Sequence, residues 1–193
     1  MRRLLSSLTV ALLVGLPAAA HAASQSANTV RGKLTVGCFK TGKDKYDGQY
    51  RYLLNGKPIA KLRSGCAVGS AESHIAIYKV ISSSGSTTLV VQEGLNAYTD
   101  TQKLIFIPKS GPALYLETET DSEDPKVTQR SPTAFHLTVP VEGYAIDMNH
   151  LSRWTCLIEV DFATSKATGK AASPHEKGLP AQVCKAAVEK API

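Results

Sequence analysis

Apart from its first two dozen residues, this chain reads mostly as short strands, several alternating apolar and polar positions with a period of two, separated by turn residues. Tyr50, Tyr52 and Leu54 alternate with polar neighbours up to Asn55-Gly56, a dipeptide suited to the left-handed backbone of a two-residue hairpin turn. Ile59 and Leu62 fall in the return segment. His74 to Ile81 is rich in β-branched residues, Ser82 to Gly85 reads as a turn, and Thr87 to Gln92 returns as the second arm of another hairpin. Residues 102–108 predict a further strand, joined through Lys109-Ser110-Gly111-Pro112 to a strand over Ala113 to Thr120. Alternation there places Leu114, Leu116, Thr118 and Thr120 on a core face and Tyr115, Glu117, Glu119 and Asp121 on a wet, acidic one. Val30 to Phe39, Phe135 to Val141 and Thr155 to Phe162 are the remaining predicted strands, the last presenting Cys156, Ile158, Val160 and Phe162 on one side.

Helical periodicity is scarce. The best stretch follows Pro180, where Val183, Cys184, Ala187, Val188 and Ala191 form a stripe and predict a short C-terminal helix. Thr164 to Lys177, poor in apolar residues, reads as a mobile connector, and Asp121 to Pro132 as an exposed loop. The expected fold is mainly β: an antiparallel β-sandwich or a curved barrel-like sheet with that short C-terminal helix.

The N-terminus changes the compartment. Arg2 and Arg3 precede an apolar stretch from Leu8 to Leu16, and Ala20, His21 and Ala22 form an A-x-A cleavage site, so residues 1–22 read as a secretory signal peptide. The apolar stretch is too short to span a bilayer, and no cysteine near the cleavage site offers a lipid acceptor, so no membrane anchor is expected. Removing 22 of 193 residues leaves 171, which suits a single disulfide-stabilised domain over 23–193. The expected location is periplasmic or secreted.

Four cysteines, Cys38, Cys66, Cys156 and Cys184, remain in the mature chain, and an oxidising compartment favours two disulfides. Three connectivities are possible. The expectation is sequential pairing, Cys38 with Cys66 and Cys156 with Cys184. Loss of two signal-peptide arginines lowers the formal charge from +6 to +4, and with the lysines dispersed along the chain this implies only a weak, salt-screened attraction to anions and no nucleic-acid binding.

Local motifs carry little chemistry. Gly37, Gly42 and Lys43 match the start of a phosphate-binding loop, but Asp44 replaces the required Ser or Thr and no amphipathic helix follows, so a turn is expected. His74, His136, His150 and His175 lack metal-ligand spacing, and no G-x-S-x-G elbow occurs, so neither a cofactor nor an enzyme is expected. Glu117, Glu119 and Asp121 are a candidate partner-binding row, weighed against a solvated strand that discourages aggregation. Tyr50 and Tyr52 share one face and would form a partner or sugar-stacking platform if that face were not core. These features point to an exported, monomeric β-rich binding protein for an envelope or extracellular protein, such as an inhibitor or immunity factor of an envelope-directed enzyme. The alternatives are a secreted hydrolase with a dispersed site and a glycan- or small-molecule-binding module.

Overall fold

The computed structural model describes residues 24–44, 47–68, 74–94, 100–120, 125–144, 151–172 and 184–193; the predicted signal peptide lies outside them. The described residues form thirteen strands and no helix. The strands are β1 (Ser24–Thr29), β2 (Gly32–Lys40), β3 (Asp47–Leu54), β4 (Lys57–Ala67), β5 (Ile75–Ser82), β6 (Ser86–Gly94) and β7 (Asp100–Pro108). β8 (Ala113–Thr120), β9 (Lys126–Gln129), β10 (Ala134–Tyr144), β11 (Leu151–Asp161), β12 (Lys166–Ala171) and β13 (Glu189–Ala191) complete the order.

Three antiparallel sheets result: a first sheet β1-β2-β3-β4, a middle sheet β13-β8-β7-β6-β5, and a third sheet β12-β11-β10-β9. The three hairpins expected from turn chemistry all form. At the tightest, Asn55 and Gly56 both take positive φ, 51° and 80°, as a two-residue turn between right-twisted strands requires. The Asn55 amide accepts from Lys33 N at 3.0 Å and donates to Arg31 O at 2.8 Å, tying this turn to the preceding hairpin.

The middle sheet has a core on each face. Leu89, Val91, Ile105 and Ile107 pack with Leu34, Val36, Tyr50, Tyr52 and Leu62 of the first sheet. Their neighbours in sequence, Val90, Leu104 and Phe106, point the other way and pack with Phe135, Val139, Trp154 and Ile158 of the third. Alternate residues of β6 and β7 therefore enter different cores instead of alternating between core and water, which is why Leu89-Val90-Val91 and Leu104 to Ile107 are unbroken apolar runs. Fully burying each such side chain contributes about 1.5–3 kcal/mol.

Both disulfides pair sequentially, Cys38–Cys66 within the first sheet and Cys156–Cys184 from β11 to the C-terminal segment, as an oxidising environment allows.

Four expectations change. In the C-terminal segment, residues 184–193 are extended and end in β13 paired with β8, where the sequence predicted helix; residues 180–183 lie outside the described set. Burial over Cys184 to Glu189 alternates with period two, and the Cys184 carbonyl sits so close over Gly169 that a Cβ there would collide with it. From that point Ala186 and Val188 pack against the core between the middle and third sheets, and the chain reaches the free edge of β8. The predicted connector at 164–177 contains β12, an edge strand whose alternate residues are half-buried against β11. The predicted loop at 121–132 contains β9. Finally, Ala113 to Leu116 is buried on both faces, so β8 has a wet end instead of a wet face.

Candidate functional site

One end of the middle sheet carries charge into the interior. Glu93 on β6 and Lys103 on β7 face the first sheet and are buried, at 0% and 1% side-chain exposure, with Lys103 Nζ 2.6 Å from Glu93 Oε2. Tyr52 donates its hydroxyl to Glu93 Oε1 at 2.6 Å, and the Ser64 hydroxyl donates to Oε2. Lys103 Nζ also reaches Ser64 Oγ at 3.2 Å and Glu117 Oε2 at 3.3 Å, and lies 5.6 Å from the centre of the Tyr52 ring. Burial first, then the Glu93 carboxylate, push the Tyr52 phenol well above its ordinary pKa, so it remains a donor. Beside this network the Tyr50 hydroxyl reaches the carbonyls of His74 and Gly94. His74 Nε2 lies 3.5 Å from Asp100, whose carboxyl is pushed up by burial and partly restored by that histidine.

Ser, Lys, Glu and Tyr within hydrogen-bond reach are the ingredients of nucleophilic catalysis, and here they are bonded chiefly to one another. The Ser64 hydroxyl is spent on Glu93, and the Lys103 amine is committed to two carboxylates. Four surface grooves among the described residues are lined by side chains other than Tyr52, Ser64, Glu93 and Lys103. The arrangement is a satisfied buried ion pair holding the first sheet on the middle one.

The residues singled out in the sequence separate. Tyr50 and Tyr52 are fully buried in the core between the first and middle sheets, which removes them as a stacking platform. Glu117 is 47% exposed and shares Lys103; Glu119, two residues along β8, is exposed; Asp121 lies outside the described residues. What was read as a row of free carboxylates is therefore one shared and one free group in the described part. The phosphate-loop match resolves into the β2–β3 hairpin, closed by Thr41 N to Asp47 O at 3.1 Å. His74 and His136 each face one carboxylate, and the described residues hold no cluster of three metal-ligating side chains.

Charge is the signal that the linear reading missed. Sorted by sheet instead of along the chain, residues 24–68 hold nine lysines and arginines against two acids, a formal +7, whereas residues 69–193 hold eleven against fourteen, −3. The first sheet turns Tyr50, Tyr52 and Leu62 inward, so Arg51 and Arg63 point outward; the two are direct cross-strand partners on β3 and β4. Among the described residues neither has an ion pair. Two arginines directly opposite on neighbouring strands repel, which disfavours the pair.

No family model, curated protein or solved structure matches the chain.

Proposed function

We propose that this is an exported binding protein, acting in the periplasm or outside the cell, which engages an envelope or extracellular partner through an exposed sheet face. The observation that carries the reading is the fate of its densest reactive cluster: Tyr52, Ser64, Glu93 and Lys103 are used up in one another inside the core. A rigid scaffold whose unpaired charges lie outside is suited to recognition. Two disulfides and the A-x-A site at Ala20 to Ala22 support export. The two cores filled by alternate residues of β6 and β7 favour a layered sandwich over a closed barrel.

An inhibitor or immunity factor for an envelope-directed enzyme is one form of this function. Its acidic steering row is reduced in the described residues to Glu119 and a Glu117 shared with Lys103, which weakens it against a partner of opposite charge.

Two measurements test the reading. Mass spectrometry of the exported protein should give an N-terminus at Ala23, without lipid. The oxidised mature protein, immobilised and exposed to its native envelope fraction, should retain a partner that salt elutes. Substrate turnover by the pure protein, abolished by Ser64→Ala without unfolding, would replace binding with hydrolysis.

A further inference from the structure

We infer that the outer face of the first sheet is the docking surface, and that its occupant is an acidic polysaccharide whose carboxylates are taken by Arg51 and Arg63. This rests on the binding-protein reading and gives it a partner chemistry.

The face is organised in rows across the strands. Gly37 of β2 pairs with Arg51 of β3, which pairs with Arg63 of β4. The Phe39 ring folds back over Gly37, close enough that a Cβ on that glycine would sit 3.3 Å from it. One row thus carries an aromatic ring and two guanidinium groups, spanning roughly 10 Å at the spacing of neighbouring strands. The next row on one side is Phe39, Gln49 and Gly65, and on the other Thr35, Leu53 and Pro58. Lys61, exposed where the β3–β4 register shifts, and Lys33 on β2 add charge. A shallow depression of about 270 Å3 runs between the two arginines, bordered by Gln49, Pro58 and Ala60.

Three observations select this occupant. The formal +7 of residues 24–68 favours an anionic partner, and an anion bound between the opposed arginines would relieve their mutual repulsion. Of the large hydrophobic side chains exposed among the described residues, Tyr78, Val80 and Ile193, none lines the depression that Arg51 and Arg63 share, although Ile193 borders a neighbouring groove at Pro58, so the depression itself lacks the apolar anchors of a membrane surface or a protein hot spot. The half-exposed Phe39 ring beside guanidinium and amide groups offers an apolar plane for a sugar ring and bidentate donors for its carboxylate. The competing account makes Arg51 and Arg63 mere guards against edge pairing of β4, and predicts no saturable ligand.

Titration calorimetry of the oxidised mature protein tests the assignment, with polygalacturonate as the carboxylated polysaccharide, dextran as the neutral one, and polyglutamate and phosphatidylglycerol vesicles as other polyanions. Saturable binding to polygalacturonate is expected, falling with salt and absent for dextran. The charge-keeping pair Arg51→Lys with Arg63→Lys should weaken it at least about tenfold by loss of bidentate bonding, and Phe39→Ala should weaken it without changing the salt dependence. Far-ultraviolet circular dichroism and the urea midpoint certify each variant as folded, and Arg51→Gln with Arg63→Gln should leave stability equal or higher as repulsion is relieved. No binding to polygalacturonate overturns the proposal, as does equal binding to polyglutamate or vesicles, or indifference to both the lysine pair and Phe39→Ala. If the lysine pair still captures the native envelope partner as wild type does, the face is wrong while the binding-protein reading stands; turnover of a substrate removes the reading itself.

Discussion

Lys103→Met is the single substitution expected to damage this fold most. Glu93, at 0% exposure, accepts hydrogen bonds from Tyr52, Ser64 and Lys103, and among the described residues only Lys103 balances its charge. Methionine fills nearly the same space, so little cavity forms and the loss is electrostatic: a buried carboxylate left with two neutral donors. Breaking a buried pair from one side costs about 3–5 kcal/mol, equivalent to roughly 6–20 °C in Tm for a chain of this size. Glu93→Gln should cost less, about 1–3 kcal/mol, because the Tyr52 donor keeps an acceptor and Lys103 keeps Glu117. The double variant should then recover part of the loss, a coupling above about 1 kcal/mol that marks the pair itself. Urea unfolding of the oxidised proteins, compared at equal m-value, measures all three. A Lys103→Met protein within about 1 kcal/mol of wild type, or singles that simply add, would refute a dry ion pair between the sheets.

Three further outcomes are expected. Asp161 accepts from Thr164 Oγ1 and Ala163 N, each at 2.9 Å, which hold its carboxyl below the ordinary range; the resulting stability is present above that range and lost as pH falls through the lowered value. The deficit of Asp161→Asn in urea at neutral pH should therefore narrow in acid; a constant gap from pH 7 to pH 2 would reject the charge contribution. Gln92 and Gln102 are buried register partners facing the third sheet, where Gln92 Oε1 and Gln102 Nε2 lack hydrogen bonds, so replacing both by Leu should raise stability by about 1 kcal/mol or more in thermal unfolding, and a loss would mean that the amides are satisfied. Replacing Cys156 and Cys184 by Ser should lower stability by about 2–5 kcal/mol, and peptide mapping of wild type should return only the sequential pairs.

The hairpins were legible because their turns are local: Asn55-Gly56 and Lys109 to Pro112 state their geometry in two to four residues. The sequential disulfide pairing was one of three connectivities the cysteines allowed, and the structure shows it. Strands that borrow their stability from neighbours were not legible. β1 and β12 contain almost no large apolar residue and exist because β2 and β11 offer them ladders. β13 is three residues long, and nothing in Glu189-Lys190-Ala191 reveals that Tyr115 will bond Glu189 at 2.5 Å while Ala191 pairs with Ala113. The helical reading of that segment failed because a stripe of Val, Cys and Ala satisfies two periods at once over a short window. For the site, alternation does place Tyr50 and Tyr52 on one face, but that this face is the core depends on a sheet formed by later residues. Arg51 opposite Arg63 becomes visible only once the bulged register of β3 and β4 is known.

The layers follow the chain in order, which would matter if the protein is exported as a thread. Residues 24–68 build the first sheet with its own disulfide, 75–120 most of the middle one, and 126–171 the third. If the chain is exported N-terminus first, as proposed, Cys38 can find Cys66 before any competing thiol has arrived. Cys156 must wait for Cys184, the last of the four to emerge, and β13 then inserts beside β8 and against β4. Delivery in that order would favour the sequential thiol pairing by timing, with the final strand closing the edge of β8 last.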